Sequence, residues 1–305
     1  MTVAAFLAAH GWGGAVSVPL AGDASARRYH RLLRGGARAV LMQAPPDDRT
    51  SFDAFLSVAA RLHALGLSAP RVLASDADRG LMLLEDLGDL RFADLGADLP
   101  GATDAAVDVL IHLARHPEGW GLLTLTPDRL AAMTRVALPD SPLTDAALRL
   151  MEAQFTAHFT HAPVPALRDV HSENLIWLPD RAGLARVGLL DFQDAVMAPP
   201  GYDLVSYIHD ARRDVPDDIA TRATDRYATA LALNPESFSV HCALLSLQRN
   251  LRILGVFRRL ARERGKPGYL TFLPRVFAHV DRALAHPALA ELDRAMRPLM
   301  RGLAP

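Results

Sequence analysis

Only one cysteine, Cys242, occurs in the 305 residues. An intramolecular disulfide and any cysteine-based zinc cluster are therefore excluded, and a reducing cytoplasm is the expected compartment. Long apolar runs are equally scarce. The 2–9 stretch lacks a basic flank and is broken by His10, Gly11 and Gly13 well short of a membrane span, so it reads as a short packing helix in a soluble chain. An excess of either charge is missing too: the formal net charge is −1, which gives no global electrostatic case for nucleic acid or an anionic membrane as partner. Internal repeats and low-complexity tracts are absent. Apolar residues, by contrast, make up 50% of the chain, and at this length they exceed one typical core and should divide into two lobes.

The spacing predicts where those lobes lie. Residues 16–20, 28–33 and 37–43 are short, apolar or β-branched, and separated by Gly22-Asp23-Ala24-Ser25 and Gly35-Gly36, so they read as antiparallel strands. Residues 52–65 carry Phe52, Phe55, Leu56, Ala59, Ala60, Leu62 and His63 at helical spacing, with Thr50 or Ser51 as cap. Two more strands, at 71–74 and 80–84, complete a five-stranded sheet with one helix. Beyond Glu85-Asp86-Leu87-Gly88 the texture becomes helical, at about 102–115, 127–137, 146–159, 204–211, 216–232, 238–263, 269–284 and 289–301. The expected class is α+β: a small antiparallel β lobe at 1–88, a hinge at 85–88, a larger, mainly helical lobe at 89–305, and a ligand cleft where the two meet.

Chemistry concentrates in Leu167-Arg168-Asp169-Val170-His171-Ser172-Glu173-Asn174 and in Leu189-Leu190-Asp191-Phe192-Gln193. Taken singly, Asp and Asn in a turn-rich stretch are usually turn and cap formers. Jointly, an Asp five residues before an Asn, followed by an apolar strand ending in Asp, is the arrangement of kinase-like phosphoryl transfer: Asp169 takes the acceptor's proton while Asn174 and Asp191 hold Mg²⁺. Such chemistry asks little covalent work of the protein, so its demand is that these oxygens converge. A strand at 176–178, a turn at 179–183 and a returning strand at 185–190 would bring Asp169 and Asp191 side by side at one end of a hairpin.

With these motifs in place, the chain resembles the aminoglycoside phosphotransferase and choline kinase branch of the protein-kinase-like superfamily. Within it, the chain is most similar to the bacterial anomeric N-acetylmuramate/N-acetylglucosamine kinases. The resemblance rests on Gly22-Asp23-Ala24-Ser25-Ala26-Arg27-Arg28-Tyr29, Val40-Leu41-Met42-Gln43-Ala44-Pro45, Leu83-Leu84-Glu85-Asp86-Leu87-Gly88, the 168–174 loop, Gly188-Leu189-Leu190-Asp191-Phe192-Gln193-Asp194-Ala195 and Asp210-Ala211-Arg212-Arg213-Asp214. It implies a bilobal, protein-kinase-like fold and an ATP- and Mg²⁺-dependent transfer to the anomeric hydroxyl of an amino sugar, as in peptidoglycan recycling, by a cytoplasmic monomer. Gly22, Ala24 and Ser25 would lie over the ATP phosphates, with Glu85 and Leu87 at adenine. Arg168, His171 and Asp203 would order the catalytic loop. Acceptor contacts would come from Glu173, Gln193, Asp194, His209, Asp210 and Arg213, joined by Gln248, Arg249 and Arg252 on one helix face.

Two departures stand out. Met42 occupies the strand-three lysine position, with no obvious Glu partner in the 52–65 helix, so Arg28 or Arg38 is the expected phosphate cation. Leu167 stands where relatives often carry His. The alternatives are an aminoglycoside, choline or homoserine acceptor, a nucleotide-binding pseudokinase suggested by Met42, and a metal-dependent hydrolase built on His171, Asp169 and Asp191.

Overall fold

Gly35-Gly36, with both glycines at positive φ (54° and 82°), folds residues 37–43 back on residues 28–34 as antiparallel strands. The structure, a computed structural model, describes residues 2–20, 27–45, 48–96 and 99–303. Contacts group the chain into two compact units, Met1–Gly96 with Glu173–Asp194, and Ala97–Ser172 with Ala195–Pro305.

The first unit begins with α1 (Val3–Ala9), capped by Thr2, whose hydroxyl accepts from the Ala5 amide at 3.2 Å. Strands β1 (Val16–Leu20), β2 (Arg28–Arg34), β3 (Ala37–Gln43), β4 (Val72–Asp76) and β5 (Leu81–Glu85) form one antiparallel sheet in the order β1-β2-β3-β5-β4. Phe6 of α1 is fully buried against Leu32, Ala39, Leu41, Leu81 and Leu83. Helix α2 (Arg49–Ala64) buries Phe52, Phe55, Val58, Ala59 and Leu62, the i, i+3, i+4 stripe expected of it, although Ala60 is exposed. Its N-cap is Asp48 rather than Thr50 or Ser51. Ser51 instead lies inside the first turn, where its hydroxyl accepts a hydrogen bond from Arg27.

Strands β7 (Leu175–Trp177) and β8 (Val187–Leu189) form an antiparallel pair that belongs with this unit, although a division at residue 88 leaves them with the helical half. The reason is hydrogen bonding across large sequence separations. Leu189 N donates to Ser68 O (2.8 Å), Ser68 Oγ to Ala185 O (2.7 Å), and Trp177 N to Leu90 O (2.7 Å). Arg181, in the turn, reaches Glu85 (2.8 Å) and Ser68 (2.7 Å). Gly188 permits the close approach: a Cβ there would meet Leu87 Cδ1 at 3.0 Å and Ile176 Cβ at 3.1 Å.

The second unit is helical: α3 (Leu99–Ala114), α4 (Pro127–Thr134), α5 (Pro142–His158), α6 (Tyr202–Ile208), α7 (Asp217–Ala230), α8 (Pro235–Glu263), α9 (Leu273–Leu284) and α10 (Ala290–Arg301). Proline opens α4, α5 and α8, where its missing N–H costs nothing. The 29-residue α8 runs through the core, with Leu244, Leu247, Leu251 and Leu254 fully buried. Strands β6 (Val164–Ala166) and β9 (Val196–Ala198) pair antiparallel in this unit. At three residues each, one containing Pro165, they carry too little periodicity to be read from sequence. Among the described residues no helix is long and apolar enough to cross a membrane.

Candidate active site

The 167–174 loop of the second unit is organised by a carboxylate 36 residues downstream. Asp203, in the first turn of α6, accepts from the Leu167 amide at 2.5 Å and the Arg168 amide at 2.9 Å. Burial pushes its pKa up to about 6, while the two amides and Arg249 pull the other way. Arg168 is gripped on its carbonyl side too, its O accepting from Arg249 Nη1 at 2.7 Å and from Ser206 Oγ at 3.4 Å. Arg168 is thereby held at φ 74°, a left-handed conformation that a side-chain-bearing residue adopts only when its surroundings dictate it. The consequence is a fixed, half-buried Asp169 immediately after the strained residue. Leu167 at the position before the loop is buried, contributing packing and an amide to this arrangement.

A second buried carboxylate, Asp210, secures the far side of the loop by accepting from Ser172 N (3.3 Å) and Arg212 N (2.8 Å). Arg212 Nη1 in turn lies 3.1 Å from His171 Nε2. Burial first, then the Arg212 charge, hold the His171 imidazole down to about 4, against the opposing pull of Asp210 and Asp169. His171 is thus neutral near pH 7, with Nε2 as acceptor for the guanidinium. Arg212 stands in the 210–214 motif, where the resemblance implies a role only for its neighbours Asp210 and Arg213. Nothing in local spacing distinguishes it.

The other two candidate residues, Asn174 and Asp191, lie in the first unit. Asn174 immediately precedes β7 and Asp191 follows β8 by two residues, and Leu190 N donates to Asn174 O at 3.0 Å, continuing the ladder past Leu175 and Leu189. Asn174 and Asp191 therefore share one end of the strand pair. Asp191 is exposed, sits at φ 56°, and accepts from Gln193 Nε2 at 2.7 Å. Phe192 anchors this end by packing fully buried against Phe55, ring centroids 4.8 Å apart. A carboxylate and a carboxamide fit Mg²⁺, a hard cation that retains waters and takes few protein oxygens. Among the described residues there is no cluster of three or more His, Cys, Asp or Glu that would form a closed cage.

The remaining sequence candidates fall as follows. Gly22, Ala24 and Ser25 lie outside the described residues. Arg28 is exposed at the start of β2, and Arg38 on β3 is exposed and 3.9 Å from Asp86. Glu85 uses its amide in a 2.8 Å bond to Arg71 O and its carboxylate to pair with Arg71 (3.2 Å) and Arg181 (2.8 Å). Leu87 packs over Gly188. Glu173 pairs with Arg91 at 2.5 Å, and Asp194 is exposed. In the second unit His209 stacks on His279 at 5.0 Å, held down to about 3 by burial and by its neighbour's charge, and Arg213 is half-buried. On α8, Gln248 is fully buried and donates to Leu130 O at 3.2 Å, and Arg249 lies 5.9 Å over the Tyr202 ring. Arg252, in the electrostatic company of Arg168, Asp169 and Arg249, is held below the usual guanidinium range by burial first. Guanidinium groups so gathered suit an anionic ligand group.

Comparison with known proteins adds a family, two relatives and a solved structure. The model of the phosphotransferase enzyme family matches residues 17–237. The N-acetylmuramate/N-acetylglucosamine kinase of Caulobacter vibrioides is 40% identical over 95% of this chain and 93% of its own length, and that of Pseudomonas aeruginosa 31% over 96% and 92%. A choline/ethanolamine kinase family protein from Mesorhizobium loti, 16% identical, superposes with a TM-score of 0.67 over 96% of this chain and 97% of its own, a likeness of fold.

Proposed function

Because the chain belongs to the phosphotransferase enzyme family and has its protein-kinase-like α+β fold, we propose that it is an ATP- and Mg²⁺-dependent sugar kinase acting on the anomeric hydroxyl of N-acetylmuramate and N-acetylglucosamine. The observation that carries this reading is the strained, doubly clamped loop that fixes Asp169, found in a chain 40% identical to a kinase of those two sugars. Asp169 orients the acceptor hydroxyl and takes its proton. Asn174 and Asp191 hold Mg²⁺, which when bound neutralises charge on the phosphate oxygens. His171, neutral and tethered to Arg212, keeps the loop in shape and leaves proton transfer to Asp169. Residues 1–88, with 85–88 as hinge and with the strand pair at 173–194, serve the nucleotide; the helical remainder serves the acceptor.

Arg252, which feels the charges of Arg168 and Arg249, supports an acceptor bearing a carboxylate, as N-acetylmuramate does, and runs against the polycationic aminoglycosides. In this reading the protein acts in the salvage of cell-wall sugars, as a cytoplasmic monomer. The test is ADP release with Mg-ATP and N-acetylmuramate, N-acetylglucosamine, kanamycin or choline in turn, with ³¹P–¹H coupling locating the new phosphate. Turnover is expected with the two sugars, yielding the 1-phosphate, and Asp169→Asn should lower it about 10³-fold without changing the melting temperature. Turnover with kanamycin or choline alone would reject the acceptor, and phosphate on a hydroxyl other than the anomeric one would reject the site of transfer.

A further inference from the structure

Lys266 is the chain's only lysine and belongs to the second unit, so no lysine of the first unit can hold nucleotide phosphates. Met42, at the strand-three position, is fully buried. A guanidinium nevertheless approaches the same face of the sheet. Side chains alternate along a strand, so residues 29 and 31 of β2 project to one side and Arg28 to the other, and the same alternation carried one residue back from the strand's start assigns Arg27 to the first side. Tyr29 stands opposite Met42 in the β2–β3 ladder, which puts Arg27 on the face to which residue 42 points.

There the Arg27 side chain is 3% exposed, its Nε donating to Asp48 Oδ2 at 3.2 Å and its Nη2 to Ser51 Oγ. Both acceptors belong to the start of α2. Asp48 occupies the N-cap yet makes no capping hydrogen bond with its side chain; its carboxylate is directed to Arg27 instead. A helix-borne carboxylate paired with a sheet-borne cation repeats, with other residues and from a neighbouring strand, the Lys–Glu pair the sequence lacks. Tyr29 interacts electrostatically with both Arg27 and Asp191, so the pair lies in the neighbourhood of the proposed metal ligand within one unit.

We propose that Arg27, anchored by Asp48 and Ser51, is the cationic contact to the nucleotide phosphates and that the Arg27–Asp48 pair takes the place of the absent Lys–Glu clamp. The proposal rests on the nucleotide-binding reading above, and it replaces Arg28 and Arg38 in that role. A guanidinium suits it, since its planar fork can serve a carboxylate and a phosphate at once.

Calorimetric binding of adenosine, ADP and Mg-ATP to the full chain tests it, with Arg27→Met and Arg27→Lys each checked for cooperative melting. Arg27→Met should weaken ADP and Mg-ATP by about 10- to 100-fold, the worth of a charge-assisted contact, and adenosine by less than about twofold; Arg27→Lys should recover part of the loss. Equal weakening of adenosine and Mg-ATP, or no weakening of either, overturns the proposal. Should Arg27→Met not melt cooperatively, Arg27→Lys decides on the same criterion, with about a tenfold loss expected for Mg-ATP alone. Wild-type protein that fails to bind Mg-ATP overturns this inference and the kinase reading together. Binding that depends on Arg27 without sugar-dependent turnover supports the clamp and removes only the acceptor.

Discussion

The two units place their chemical groups by different means. In the first, Asn174 and Asp191 are set by a backbone ladder, β7 against β8, extended by the Leu190–Asn174 bond. In the second, Asp169 sits in a loop seized on both sides by side chains far along the chain: Asp203 reaches back 36 residues to Leu167, Arg249 81 residues to Arg168, and Asp210 38 residues to Ser172. A ladder is a repeating interaction and tolerates loss of one member. A buried carboxylate holding two amides does not, because its removal strands both donors without water or partner.

The sharpest way to break this comparison is Asp203→Ala. It should cost about 3 kcal/mol in urea unfolding and most of the turnover, and an unchanged unfolding midpoint would show that the loop is held by something else. Acid comes next. His241 in α8 is held down to about 4 by burial, with His161 adding to the shift, against about 6.5 unfolded. As pH falls below 6.5 the unfolded chain therefore takes the proton first, and stability intact above 6.5 is lost towards pH 4. His171 and His209 act in the same direction, while Asp203, raised to about 6, gains its proton early in the folded state and opposes them. His241→Gln should recover about 2 kcal/mol of the loss between pH 6.5 and 5, measured by urea unfolding at both pH values; an unchanged pH slope would remove His241 from this account.

Asp191→Asn separates geometry from chemistry in the first unit. Asn accepts the left-handed conformation as readily as Asp, so melting should hold while the Mg²⁺ needed for half-maximal turnover rises at least about tenfold, or about 1.4 kcal/mol; an unaltered Mg²⁺ dependence would remove Asp191 from the metal site. The smallest effect should come from Gly188→Ala, where the added methyl presses on Leu87 and Ile176. About 1 kcal/mol is expected in thermal melting, with the Mg²⁺ dependence intact, and a shift in that dependence would show the ladder to be less forgiving than supposed.

Much of the first unit was legible because its signals are local. The Gly35-Gly36 turn, the apolar strands and the α2 stripe of Phe52, Phe55, Ala59 and Leu62 all repeat within a dozen residues, and the structure returns the strands with shifts of at most two residues and the helix with its start three residues earlier. The start of α2 was misjudged. Thr50 and Ser51 are good capping residues by type, but Arg27 claims Ser51, and no local pattern announces a partner 24 residues upstream. The affiliation of the 173–194 strand pair was hidden for the same reason, since Ser68, Glu85 and Leu90 hold it from elsewhere in the chain.

Residue type and spacing alone settled what chemistry this chain has available: an Asp, an Asn and a second Asp in kinase order, a single lysine, and periodicities for a sheet followed by helices. Tertiary structure alone decided which of many arginines is buried against a carboxylate, and which of several aspartates clamps a loop. Periodicity is written between near neighbours, whereas burial is a property of the whole fold, and burial determines whether a charge is an idle surface group or a paired one that shapes a site.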